Sequence, residues 1–519
     1  MLMSVAFGFD KIVERAMKPY VFLTGATGLL GRYLIKDLTV AEIPVAVLVR
    51  PSRRATAQHR VENVMCYWDA ELSRALPRPV VLEGDITEPD LGLDARGMRW
   101  VAENCDTMLH NAASLTFQST SRQSEPWRSN VEGTRNVLEL CRNAGIRRFH
   151  HVSTAYVCGL RQGRILESEL DVGQKMSNDY EQSKIQAEKM VRSAGFLNSL
   201  TVHRPAIIIG DSTNGYTTTY HGFYAPLQVV YTMAQTFDVD VTGHAGVSAR
   251  FGVSGYETKN LVPVDWVSAV MAHIIAHPQH HGKTYHLTPL HPVPARLLGD
   301  IFEEAVGFYA VKLEGSGKPL AGLTEYEQLF CELIRVYSSY WKDDPTFDST
   351  HTRNAAPHLP CPHIDRRMLL KMADYAMRVN FTSPRAKAVE PKFDAFAALE
   401  PLAEAGLPAE QARHRGSRLG LRITGHGGGD WTLLVSLGEV VGVELGIHVS
   451  CAAIVECRIE IFAALARGHL LAESALAKGD LAFSGEAALR PQIIAAFRHL
   501  AVLDQSRALA ASGQARALA

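Results

Sequence analysis

The stretch VFLTGATGLLGRYLIKDL, Val21 to Leu38, constrains the fold more than any other part of this chain. Tyr20 to Thr24 is an apolar, β-rich run, and Leu30, Leu34, Ile35 and Leu38 share one face of a following helix. Three glycines, Gly25, Gly28 and Gly31, stand between the two. On a strand–turn–helix unit, Gly25 permits the tight turn, Gly28 lets a pyrophosphate approach the backbone, and Gly31 lets the helix pack close to the sheet. The helix N-terminus adds free N–H donors and a partial positive charge. A dinucleotide is therefore expected against Thr24, Gly25, Thr27, Gly28, Leu29, Leu30 and Gly31.

Later strand ends extend that expectation. The strand Pro44 to Val49 runs into Arg50, with Arg53 and Arg54 just beyond. A bare ribose 2′-hydroxyl usually meets an acidic residue at this point, whereas a 2′-phosphate needs cationic donors. Arg50 and Arg53 thus favour NADP(H), with a solvated basic loop as the alternative. VVLEGDIT ends in Asp85 and Ile86, placed for the adenine, and DTMLHNAA ends in Asn111, Ala112 and Ala113, small enough to lie against the ribose on the nicotinamide side.

Composition narrows the partners. The chain has 519 residues with 53 Lys and Arg against 54 Asp and Glu, a formal charge of −1. Such a length exceeds one ordinary core, and such a balance supplies no field for nucleic acid or anionic lipid. The eight cysteines lack CxxC spacing and mostly lie in apolar runs, as buried free thiols in a reducing cytoplasm would. Charges at Asp10, Lys11, Glu14 and Arg15 interrupt any signal-peptide core, and no run is long enough to span a membrane. A cytoplasmic protein without a membrane span is expected.

The chemistry is expected downstream. FHHVSTAYVCG, Phe149 to Gly159, reads as a buried strand ending in hydroxyls, and 26 residues after Thr154 comes Tyr180, followed by Lys184 on the same helical face. A carbonyl reduced by hydride becomes an alkoxide, which requires a proton donor and a second hydrogen-bond donor at one oxygen. Tyr180 would give the proton, Thr154 would polarise the carbonyl, and Lys184 would lower the phenol pKa and hold the nicotinamide ribose.

The ordered set TGATGLLG, GDIT, HNAA, NVEGT, VSTAYVCG, YEQSK, HRPAIIIG and NLVPVDWV resembles the extended short-chain dehydrogenase/reductase (SDR) superfamily over roughly residues 18 to 385, in its thioester-reductase and fatty-acyl-reductase branch. The resemblance puts the catalytic hydroxyl on Thr154, with Ser153 as fallback, and gives Asn130 a structural part. It also places Arg204, Pro205 and Ile207 beside nicotinamide and substrate. It implies a doubly wound parallel Rossmann sheet, mainly residues 18–204, and a smaller substrate lobe, 205–390. GYTTTYHGFYAPLQVVYTMAQTF, Gly215 to Phe237, suits an apolar ligand or the lobe's own core. Asp265 reads as a helix N-cap. HPQHHG reads as a surface loop, and no metal is expected.

Beyond Ser383, Pro and Ala become frequent, and 391–415 reads as a linker carrying a short helix. From Leu419 on, strands, a hairpin and GGGDW, ARGHL and KGDLAFSG resemble the sterol-carrier-protein-2 (SCP2) domain over 416–505, an α+β unit around an apolar tunnel in that family. Residues 506–519 read as a flexible tail. The expected function is NADPH-dependent reduction of a lipophilic or carrier-tethered carbonyl, an acyl thioester taken to an aldehyde, with an acyl-CoA or acyl-carrier protein as substrate and a homo-oligomer possible. A ketone reductase or hydroxyl dehydrogenase acting on a polyketide or sterol would use the same Thr154, Tyr180 and Lys184. A lipid-transfer protein on a reductase scaffold would need none of them.

Overall fold

The computed structural model describes residues 20–53, 55–236, 249–315, 322–335, 342–382, 391–404 and 417–517. The expectations for residues 1–19, Arg54, Phe237 and 405–416 lie outside this set. Seven strands form one parallel sheet: β1 (Tyr20–Thr24), β2 (Val45–Val49), β3 (Val80–Glu83), β4 (Cys105–His110), β5 (Arg148–Val152), β6 (Ser199–Pro205) and β7 (Thr284–Leu287), in the order β7-β6-β5-β4-β1-β2-β3. The chain winds outward from β1 to β3, then returns past β1 to β4. That reversal opens a crevice at the strands' C-terminal ends, where open parallel sheets bind ligands.

Both faces of the sheet are covered, so its strands are nearly continuous apolar runs. Val21 and Leu23 pack with Leu34 of α1 (Leu29–Val40) and Val267 of a helix at Val264–Ala276, while Phe22 turns to the opposite layer with Met108, Val137 and Phe149. A second core, around Phe223, Leu227, Phe251, Phe302 and Leu369, builds the substrate lobe. Its helices include Tyr224–Thr236 and Ala295–Val306, and its short parallel strands Ala249–Phe251 and Val311–Leu313 pair with one another. The run from Gly215 is thus partly core and partly, at Thr219, His221, Gly222, Phe223 and Pro226, cavity wall.

The C-terminal unit is a five-stranded sheet, β8 (Ser417–Thr424), β9 (Gly429–Ser436), β10 (Glu439–Leu445), β11 (Ala453–Arg458) and β12 (Leu481–Gly485), in the order β10-β9-β8-β11-β12. Only β8 and β11 run parallel. Helices Ile459–Ala466, Ala472–Lys478 and Arg490–Ala517 accompany it. Two expectations shift here. The helix expected in the linker, Ala395–Glu404, buries Ala395 and Leu399 in the core of this unit. Residues 506–517, expected as a tail, continue the helix Arg490–Ala517 as backbone.

The two units meet at the N-terminal edge of the large sheet. The Tyr20 phenol oxygen, at the start of β1, accepts from the Ile447 amide at 2.8 Å, and the Trp100 indole N–H donates to the Leu445 carbonyl at 2.6 Å. Gly446 adopts a left-handed φ of 78°, and a Cβ there would lie 2.8 Å from the Trp100 ring. No helix among the described residues is long and apolar enough to cross a membrane.

Candidate active site

The glycine cradle forms as the motif requires. Gly25 has φ 72°, and a Cβ on it would lie 2.7 Å from the Ala112 amide nitrogen; a Cβ on Gly31 would meet the Gly25 carbonyl oxygen. Only glycine fits either place. Gly28 is the N-cap of α1 and provides no side-chain cap; a Cβ there would meet only the Gly25 oxygen, at 3.4 Å, and would otherwise project into open space. The helix N-terminus therefore presents uncapped donors to a cavity of about 620 Å³, lined by Gly25, Thr27, Gly28, Leu29 and Leu30 among others.

Thr24 supports the cradle from behind. Its hydroxyl oxygen accepts from the amides of Asn111 and Ala112 at 3.2 and 3.1 Å and lies 2.8 Å from His110 Nδ1. Burial drives the His110 pKa down to about 3, so the ring is neutral; with Nδ1 accepting from Thr24, Nε2 carries the proton toward Thr134, 3.0 Å away. Asn111 donates through Nδ2 to the Gly25 carbonyl at 3.2 Å. Asp85, Ile86, Asn111, Ala112 and Ala113 all line the cavity.

Arg50 lines it too, 3.6 Å from Asp85, whereas Arg53 is exposed and stands apart from the lining. Arg60 takes the place expected for a second arginine. It lies in the helix Ala57–Glu71, donates to Thr27 Oγ1 at 2.9 Å and to the Arg50 carbonyl, and lines the same cavity. No local motif marks Arg60; the fold places its helix beside the cradle.

At the opposite end of the cavity stand Ser153, Thr154, Tyr180 and Lys184. Thr154 closes β5 and caps a short turn by accepting from the Tyr156 amide at 3.3 Å. The helix Asp179–Arg192 starts at the Asn178 cap and sets Tyr180 and Lys184 one turn apart. Burial raises the Tyr180 phenol to about 12, and the Thr154 hydroxyl pulls it back down. Lys184 was expected to do that, yet its Nζ donates to the Val152 carbonyl at 2.6 Å. Burial lowers the Lys184 ammonium to about 8, while the Glu188 carboxylate acts upward. Asn130 bonds Ser114 through both amide atoms and donates to Ser183 Oγ at 2.8 Å, tying the exit of β4 to the residue before Lys184.

Two sequence expectations need correction. Arg204 does not reach the cavity: its guanidinium is fully buried against Glu188, at 2.6 Å, and against the Glu169 carbonyl at 2.8 Å. A buried carboxylate beside it outcompetes any exposed anion, and only Pro205 and Ile207 of that group line the cavity. Asp265 is not an N-cap. It lies in the first turn after Pro263, and its carboxylate accepts from the amide and hydroxyl of Ser212 at 3.0 and 2.6 Å.

The reversed parallel sheet, the glycine cradle and the hydroxyl, phenol and ammonium on the same lining are the arrangement that the resemblance to the extended SDRs implies. Residues 23–271 match the family model described as Male sterility protein, an NAD-binding family.

The chain is also 25% identical over 406 residues to aldehyde reductase lnaA of Aspergillus flavus, covering 70% of this chain and 36% of that protein. It is 27% identical over 298 residues to the L-2-aminoadipate reductase large subunit of Penicillium chrysogenum, covering 53% and 20%. It thus spans about a third or less of the length of these curated relatives. Among solved structures, the terminal R domain of the myxalamid PKS-NRPS pathway superposes with a TM-score of 0.56 at 26% identity, covering 71% of this chain and 92% of that domain. The reductase domain of a nonribosomal peptide synthetase from Mycobacterium tuberculosis shares the fold, with a TM-score of 0.52 at 20% identity and coverage of 72% and 96%.

Proposed function

We propose that this protein is an NADPH-dependent reductase that takes a carrier-tethered acyl thioester to an aldehyde. The observation that carries the reading is one continuous cavity with the glycine cradle at one end and Thr154, Tyr180 and Lys184 at the other. The donor set fits a phosphorylated dinucleotide: open space over Gly28, uncapped N–H groups at α1, and Arg50 and Arg60 side by side on the lining. When bound, the reduced nicotinamide supplies the hydride. Thr154 and Tyr180 then donate to the substrate oxygen, and Tyr180, still protonated near neutral pH, yields its proton as negative charge develops there. Lys184, held by the Val152 carbonyl on the same lining, would hold the nicotinamide ribose. As the hemithioacetal collapses, its O–H returns the proton to the Tyr180 phenolate and the carbon–sulfur bond breaks, releasing the aldehyde and a thiolate that takes a proton from solvent.

Similarity to reductase domains of assembly-line synthetases favours a thioester over a free ketone. The C-terminal unit we infer to be an SCP2-like lipid-binding domain, supported by its five-stranded sheet and attendant helices as well as its motifs.

The reductase reading is tested by following NADPH, released thiol and aldehyde together, with acyl-pantetheine as substrate and Tyr180→Phe as control. Equal amounts of thiol and aldehyde per NADPH, with at least a hundredfold loss in the variant and unchanged NADPH affinity, are expected. Reduction of a ketone without thiol release would move the reading to the hydroxyl dehydrogenases.

A further inference from the structure

The substrate end of the cavity has a wall of unusual chemistry. Phe223, Phe251, Leu298, Gly299, Phe302 and Leu313 line it, drawn from one helix, two paired strands and the turn before the helix Tyr224–Thr236 of the substrate lobe, and none bears a polar side-chain atom. Phe223, Phe251 and Phe302 are each 3% exposed and belong to the lobe's own core. Lys259, on the same lining, has its ammonium 3.0 Å from Asp344, which also accepts from Tyr156. The backbone behind the wall is engaged in helix and strand bonding. Thr219, His221 and Lys259 are the polar side chains the lobe adds to the lining; over the Phe and Leu stretch itself a peptidyl substrate would give up water at its amides without a side-chain partner in exchange, whereas a hydrocarbon loses nothing.

We propose that this sleeve is an acyl-chain site, that the protein selects a hydrocarbon acyl group over an aminoacyl or peptidyl one, and that Gly299 sets the length admitted. Gly299 is buried in the helix Ala295–Val306 and lines the cavity. A Cβ on it would lie 3.5 Å from Val311 Cγ1 and 3.8 Å from the Leu313 methyls, ordinary contact distances. Alanine therefore fits, while a longer side chain presses on Val311 and on Leu313, which is itself part of the sleeve wall, and narrows the sleeve there. The proposal rests on the reductase reading only for the identity of the reacting carbonyl.

The test is calorimetric titration of the full chain loaded with the oxidised cofactor NADP⁺, which cannot reduce the thioester, with S-acyl-pantetheines from butanoyl to hexadecanoyl and with a dipeptidyl-pantetheine of matched size, and turnover of the same compounds with NADPH. Thiol release is followed in parallel. Affinity is expected to rise about fourfold per methylene until the sleeve is full. The dipeptidyl compound is expected to bind at least a hundredfold more weakly than its matched acyl counterpart. Gly299→Leu should abolish the gain beyond short chains while sparing butanoyl and NADPH affinity; since leucine favours helix over glycine, the variant should fold. Gly299→Ala should fall between. The same selective loss separates this sleeve from lipid bound by the C-terminal unit.

Affinity that is flat with length, equal binding of the dipeptidyl compound, or a Gly299→Leu loss shared by butanoyl and hexadecanoyl would each overturn the proposal. Length-dependent binding without thiol release would uphold the sleeve and remove the thioester reading. Thiol release without length dependence would do the reverse.

Discussion

Lys184 and Tyr180 both titrate on the alkaline side of neutrality. The ammonium is protonated below about 8 and the phenol below about 12, and the reaction needs both protons in place. A pH profile of kcat/KM should therefore be level through neutrality and fall as pH rises through about 8, when Lys184 discharges. Lys184→Arg should move that descending limb upward, at reduced rate; a limb left in place would assign it to another group. Arg60 invites a second measurement. Arg60→Ala should weaken NADPH binding about tenfold to a hundredfold while leaving NADH binding nearly unchanged, which comparative titration resolves. At this scale the sequence was most legible where chemistry and spacing coincide, as for Thr154, Tyr180 and Lys184. Arg60 is hidden because its side-chain partner Thr27 lies 33 residues earlier in the chain, and Arg204 misleads because no local signal announces Glu188 as its buried counter-ion.

Elements were read from periodicity and punctuation, and these served well where one face is buried. The β1–turn–α1 unit appears at Tyr20–Thr24 and Leu29–Val40, its turn glycines closed on by neighbouring backbone. Asp265 shows the limit of local logic, because a carboxylate just inside a helix looks the same in sequence whether it caps that helix or binds a distant serine. The helix Ala395–Glu404 shows another: a Pro- and Ala-rich composition hides a core-facing side that only Leu419, Trp431 and their neighbours reveal. The loop at Gly446 supplies the test at this scale. Gly446→Val would add a Cβ against Trp100 and strain a left-handed residue, at a cost of about 1–3 kcal/mol. Scanning calorimetry should then resolve a separate, lower transition for the C-terminal unit, with NADPH affinity unaltered. A single cooperative transition would show that the joint does not depend on this contact.

Across the whole molecule, the dinucleotide crevice opens at the C-terminal ends of the strands, and the second unit sits at their N-terminal ends, on Tyr20 and Trp100. Removing residues 391–519 should therefore leave kcat and KM for short, soluble substrates within about twofold of the full chain, and raise KM for long-chain substrates if the unit retains lipid. Equal effects on both would exclude lipid retention. This arrangement gives the protein a front and a back. On the proposed reading, a carrier would approach a face that the second unit leaves open, and a ligand held by that unit would enter and leave without passing through the doorway used by the carrier.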